Sequence, residues 1–346
     1  MKFSDIYLSG IGAHVPPVMP IEDAVAAGLL DGRDAAESGY TGAAVAGGTP
    51  PVEMALAATE QALRRAAVPR EHLRMLLYAD NYDNGPVGWY PQAFLQRHAV
   101  GGHMVSAEIR QGCNGLLTAM EIAAGYLRAC EPPAAALIAA ADNMTRPEIN
   151  RWRCLRPDFI VGDAAAAVVL TRSPSFARLL SIASVTVADL EGMHRGAEPL
   201  KPGPHDSWDF ARRIDDFCRR ASDGDGVTHL WLPLVKARSE VVDRVLDEAG
   251  IDVTRVTRLA YNHASRAHVE HGLLGTLEVP FERTTWEIGR HLGHLGAGDQ
   301  IVSLDRLLAA GGLRPGDHLL MLGMSPGVNI AAAVVQIVDV PAWAAA

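Results

Sequence analysis

Cysteine is scarce in this chain, four in 346 residues, and none falls in a CxxC pair or a zinc-ligand spacing. Cys113, Cys130, Cys154 and Cys218 therefore form no disulfide scaffold and no zinc module, and they fit a reduced, cytoplasmic compartment. Basic residues are outnumbered: 31 Lys and Arg against 40 Asp and Glu leave a net charge of −9. That balance argues against a nucleic-acid partner and against a basic membrane-binding face. Long apolar runs are missing too. The runs at Ala134–Ala141 and Ala164–Leu170 are too short to span a bilayer. No signal peptide is expected ahead of the first strand, which begins by Ile6.

What remains is an ordinary globular composition, 49% hydrophobic and 21% charged, with length enough for two domains of about 150 residues each. An internal repeat organises it. Leu63–Val68 leads through Leu73 to an apolar strand, Met75–Tyr78. Leu246–Ile251 leads through Val256 to Leu259–Tyr261 in the same way. Further on, Ala134–Ala140 is echoed by His318–Leu322, and Gly162–Leu170 by Ile330–Val335. Runs of Ala and Val this short are strands buried on both faces. Two similar halves, 1–172 and 173–346, give an α/β protein with a pseudo-twofold axis. An irregular excursion at about 191–226, rich in Gly, Pro, Asp and Arg, is expected to cover a substrate tunnel. A helix is expected over Val52–Ala66, after the Gly/Pro-rich segment Gly39–Pro51.

Cys113 stands in Gln111-Gly112-Cys113-Asn114-Gly115, between a strand and a helix patterned by Leu116, Leu117, Met120, Ala123 and Leu127. Free N–H groups and the dipole at a helix start favour a thiolate there. By itself the position is equally that of a buried structural cysteine. The matching turn of the second half is Leu292-Gly293-His294-Leu295-Gly296-Ala297-Gly298-Asp299, followed by a helix over Gln300–Ala309. The pseudo-repeat therefore sets His294 opposite Cys113. His263 follows a strand end, where a side chain can project into a central cleft. His263, His268 and His271 lack a nearby carboxylate or cysteine partner, so no metal is expected.

Together these segments resemble the thiolase-fold β-ketoacyl carrier-protein synthase III family over nearly the whole chain. Leu8–Pro16 resembles its first strand and turn, Gly112–Gly115 its nucleophile turn, and Gly162-Asp163 another landmark. His263 falls on its catalytic histidine. Leu313–Asp317 falls on the turn before its last hairpin. The resemblance implies alternating layers of helices and mixed five-stranded sheets, and a homodimer. It implies no tightly bound cofactor, and an acyl donor carried as an acyl carrier protein phosphopantetheine or coenzyme A thioester.

Three departures redirect the expected chemistry. His294 stands where the family carries the Asn of its Cys-His-Asn triad. An amide only donates, whereas a histidine can take a proton from an alcohol or amine. This resembles the family's non-condensing branch, acyltransferases of secondary-metabolite biosynthesis that acylate a hydroxyl or amine, such as that of a sugar. The rivals are a decarboxylative condensing enzyme and a non-catalytic partner subunit; a nucleophile at Cys113 counts against the latter. Second, no Trp lies between Ile21 and Gly48 to stack a coenzyme A adenine, and His268 stands in the family's basic position. A carrier-protein donor fits better, with Arg64, Arg65, Arg70 and Arg74, or Arg151 and Arg153, as a basic patch. Third, the last glycine-rich loop reads Gly323-Met324-Ser325-Pro326-Gly327-Val328-Asn329. Pro326 has no N–H, which moves the expected oxyanion donor to Gly327, beside that of Cys113. Asn329 is expected to orient a catalytic histidine, and Asp299 to fix the tautomer of His294 or to stabilise its helix start. Asp163 is expected to be structural. Asn81–Tyr90 and Met193–Trp208 are expected to line the acyl or acceptor pocket.

Overall fold

A computed structural model describes residues 1–82, 84–155, 158–201, 208–222 and 228–344. Its strands are β1 (Tyr7–His14), β2 (Val18–Pro20), β3 (Gly42–Ala44), β4 (Leu73–Ala79), β5 (Val105–Ile109), β6 (Ala135–Asp142), β7 (Ala164–Thr171), β8 (Ala177–Thr186), β9 (Val256–Ala260), β10 (His318–Ser325) and β11 (Asn329–Ile337). The helices are α1 (Ile21–Ala26), α2 (Gly32–Ser38), α3 (Pro51–Ala66), α4 (Pro91–Leu95), α5 (Gly115–Arg128), α6 (Phe210–Ala221), α7 (Thr228–Ala249), α8 (Trp286–Leu292) and α9 (Asp299–Ala309).

Two half-sheets run in the order β5-β4-β6-β7-β1 and β8-β11-β10-β9. They join where Tyr7 and Leu8 pair with Arg178 and Ala177. Each half repeats one pattern. β4 runs parallel to β6 and β9 parallel to β10. β6 pairs antiparallel with β7, and β10 with β11. Among the described residues, the second half shows four strands where five were expected. A single parallel bridge between Leu259 and Thr284 stands at the place of the fifth, the counterpart of the β4–β5 pairing.

Small side chains set the layer spacing. β6 and β7 are buried along their whole length, and their alanines let helices approach both faces. α5 and α9 belong to one core with these sheets, while α3 covers β1 and β7, and α7 covers β8 and β11. Gly10 and Gly12 are needed under α3, because a Cβ there would meet Ala62 O at 2.2 Å and Ala58 O at 2.0 Å. α3 opens with Pro51 in its first turn, carries Glu53 there and ends on Arg64 and Arg65, a charge order that complements the helix dipole.

The segment 191–226 is more regular than its composition suggested. A 3₁₀ turn at Ala188–His194 and the twelve-residue α6 occupy much of it. α6 starts at a true cap, with the Asp209 side chain accepting from Arg212 N. Residues 202–207 and 223–226, parts of the expected tunnel cover, lie outside the described residues.

Candidate active site

Both pseudo-equivalent turns end on a glycine-led 3₁₀ turn that feeds a helix. Gly112–Asn114 precedes α5, and Gly296–Gly298 precedes α9. Gly112 and Gly296 both take positive φ, +54° and +59°, where a glycine costs least. The turns bring Cys113 and His294 together, with His294 Nε2 2.9 Å from Cys113 Sγ. Behind the imidazole, Nδ1 donates to Asp299 Oδ2 at 2.5 Å. Asp299 is fully buried, at the first position of α9, and also accepts from the backbone N–H groups of Leu295 and His263. It therefore fixes the His294 tautomer and satisfies a helix start with the same carboxylate.

This line of three groups has a defined charge order. Burial alone lowers the basicity of His294, but the charge on Cys113 and that on Asp299 outweigh it and hold the imidazole well above its usual range. For Asp299, burial opposes ionisation, and the two histidines and Leu295 N–H more than offset it, so its carboxyl lies below the usual range. The Phe159 ring lies 5.3 Å from the imidazole centroid.

His263 takes a different place from the one expected. Its side chain is fully buried. Nδ1 lies 3.0 Å from Gly293 O, a bond only a protonated nitrogen can make, and 3.0 Å from Asp299 Oδ1. Nε2 lies 3.0 Å from Ser303 Oγ. Burial depresses its pKa, which favours a neutral ring that accepts from Ser303 at Nε2, and both ring nitrogens already have partners. Gly289 makes room for the ring, since a Cβ there would stand 2.7 Å from His263 Cγ. His263 thus braces Asp299 from the far side.

Asn329 orients no histidine. Its Oδ1 and backbone O accept from Asn114 Nδ2 at 3.0 and 2.8 Å, and Gly323 O accepts from the same nitrogen at 3.2 Å. This ties the residue after the nucleophile to the β10–β11 hairpin. A Cβ on Gly323 would stand 2.1 Å from Asn114 Oδ1. Gly327 sits at the hairpin tip with φ +81° and is not part of the wall around Cys113. Ser325 and Pro326 are, together with Met324. Asp163 is the anchor of a buried network with Arg151, Ala46 N–H and Met144 N–H. Arg151 is therefore unavailable as a docking cation, and Arg65 is engaged by Asp305 and stacked on Trp343.

The cavity at Cys113 is small, about 70 Å³, and mostly apolar, with Met144, Leu155, Phe159, Val161, Trp208 and Phe210 in its wall. His194 and Trp208 bring part of the expected lining segment into it, and so does Asn81. Phe159, Asn262 and Met324 also bound an apolar chamber of about 250 Å³ that reaches Leu234, Leu273 and Ile330. Trp208 is shared with an outer groove of about 840 Å³, whose wall carries Glu148, Arg153, Asp158, Asp209 and Asp215. Sequence reasoning missed Asp142, Asn262 and Asn114, and gave Asn81 only a place in the pocket lining. Asn81 and Asp142 were within its reach, since each ends or follows a buried parallel strand, the rule that singled out His263.

The fold has its counterpart in known proteins. The description 3-oxoacyl-[acyl-carrier-protein (ACP)] synthase III matches residues 107–187, and that of its C-terminal region matches residues 246–337. A solved structure described as ChlB3, an acyltransferase, is 45% identical and superposes with a TM-score of 0.92, covering 98% of this chain and 100% of that one. The chain belongs to the 3-oxoacyl-[acyl-carrier-protein] synthase III family. Its fold is the α/β thiolase fold of that family, and its members take acyl carrier protein or coenzyme A thioesters without a tightly bound cofactor. More distant relatives carry the names of synthases. Beta-ketoacyl-[acyl-carrier-protein] synthase III 3 of Streptomyces coelicolor is 26% identical over 83% of this chain and 82% of its own length. Acetoacetyl CoA synthase NphT7 of a Streptomyces species is 24% identical over 94% and 97%. Among the described residues, no helix is long and apolar enough to cross a membrane.

Proposed function

We propose that this protein is an acyltransferase working through a Cys113 thioester, with His294 as the base and Asp299 as its orienting carboxylate. The observation that carries the reading is the Cys113–His294–Asp299 line, an arrangement in which nucleophile, base and tautomer-fixing acid lie in hydrogen-bond sequence. In the first half-reaction Cys113 Sγ attacks the carbonyl carbon of a carrier-protein or coenzyme A thioester. The new C–S bond forms, the old one breaks, and His294 protonates the departing thiolate. In the second, a hydroxyl or amine attacks the Cys113 thioester. His294 takes its proton and returns it to Sγ as the ester or amide departs.

Condensation needs two neutral donors on the thioester oxygen of a malonyl extender. His263 has no free ring nitrogen to give, and the amide of the usual triad is absent. The likeness to ChlB3 favours acyl transfer as well. Incubation with malonyl carrier protein tests the assignment. Malonyl or acyl groups are expected to move without loss of carbon dioxide; carbon dioxide release coupled to chain growth would overturn it in favour of a condensing enzyme.

A further inference from the structure

We infer that Asn81 holds the attacking nucleophile beside the Cys113 thioester, and that the site is built for an amine. The inference rests on the acyl-enzyme reading above and names its acceptor class.

Two groups converge on the sulfur, and both can accept a hydrogen bond once His294 has given its proton to the departing thiolate. His294 Nε2 stands 2.9 Å from Cys113 Sγ and Asn81 Oδ1 3.9 Å from it, and all three side chains border one cavity. The Asn81 amide cannot turn. Its Nδ2 donates to Asp142 Oδ2 at 2.6 Å, and its backbone N–H donates to Asp142 Oδ1 at 2.9 Å. Asp142 is buried, and an ionised carboxylate accepts only. Ala297 N–H donates to it at 3.4 Å. Gly296 leaves the room, because a Cβ there would stand 2.2 Å from Asp142 Oδ2 and 2.9 Å from Asn81 Nδ2. The amide therefore presents its carbonyl oxygen to the reacting sulfur.

That inventory discriminates between nucleophiles. A hydroxyl has one proton, which goes to His294, and its lone pairs would then face Asn81 Oδ1. A primary amine has two, one for His294 Nε2 and one for Asn81 Oδ1. As the N–C bond forms, the nitrogen becomes positive and both hydrogen bonds strengthen, so they favour the transition state over the bound amine. The C–S bond then breaks. One nitrogen proton passes through His294 to Sγ, the other stays in its bond to Asn81, and an amide and a free thiol result.

The test uses acetyl-N-acetylcysteamine as donor. Enzyme acetylated on Cys113 and freed of donor is challenged with 2-methoxyethylamine or 2-methoxyethanol, and loss of the acetyl mass is timed. The amine is expected to react faster than its matched alcohol. Asn81→Leu is expected to slow aminolysis by about 10- to 100-fold more than it slows acetylation, the worth of one hydrogen bond to a charged group. Asp142→Asn keeps the side-chain volume and frees the Asn81 amide to turn, so it gives the same selective loss even if the first variant folds poorly. Equal rates with amine and alcohol, or aminolysis and acetylation falling together in both variants, overturn the assignment of Asn81. An enzyme that never gains the acetyl mass overturns the acyl-enzyme reading instead.

Discussion

The 2.9 Å contact between His294 and Cys113 makes the charge of the imidazole depend on the sulfur. Without the sulfur, burial would have less to oppose it, so Cys113→Ala is expected to lower the pKa of His294. Imidazole nitrogen shifts followed by NMR through a pH titration check this; an unchanged value would mean that Asp299 alone holds the ring charged. Asp299 acts on the tautomer, since its oxygen takes the Nδ1 proton and leaves Nε2 for the sulfur. Asp299→Asn is expected to cut acyl transfer by about 10²- to 10⁴-fold, read as kcat/KM, with little change in far-UV circular dichroism. At this scale the sequence was partly legible. Cys113 and His294 were placed by the pseudo-repeat and the family pattern, and Asp299 by its position five residues after His294. The burial of His263 was not, because it depends on Gly289, Gly293 and Ser303, residues distant from it in the chain.

The elements were easier to read than their contacts. Unbroken Ala/Val runs and the repeat of helix, turn and strand marked β6, β7, β10, β11 and the ends of α3 and α7. Composition was a poor guide to α6, whose helix lies in a segment crowded with Asp, Arg and Gly. The close approach of α3 to β1 was invisible too, because it is set by the absence of side chains at Gly10 and Gly12. Gly12→Ala tests that contact. Its Cβ would enter the space of Ala58 O, and the variant is expected to lose about 1–3 kcal/mol in denaturant unfolding; a loss near zero would mean that α3 is free to move away. The Asn114 tether to Asn329 was likewise beyond a linear reading, since it joins the two halves across the pseudo-twofold axis.

Over the whole molecule, stability carries a pH dependence from carboxyls near the site. Burial, with the charges of Asp142 and Glu108, pushes Asp80 up from 3.8 to about 8. Burial likewise pushes Asp142 up to about 6, against the bonds from Asn81 and Ala297. Below the unfolded value both states hold the proton. Between that value and about 8 the unfolded chain ionises while folded Asp80 does not, so stability falls as pH rises. Asp80→Asn is expected to flatten that decline and raise the melting temperature near pH 8 by a few degrees, on the order of 1 kcal/mol. Melting curves across the range check it, and a decline as steep as in the unsubstituted protein would contradict it. The central claim is covalent, and intact-protein mass spectrometry meets it most directly. After incubation with a panel of acyl thioesters, the protein is expected to gain one acyl mass on Cys113, to lose it to an added acceptor, and to gain none in Cys113→Ala. An acyl mass on another residue, or none with any donor while transfer still proceeds, would contradict the account.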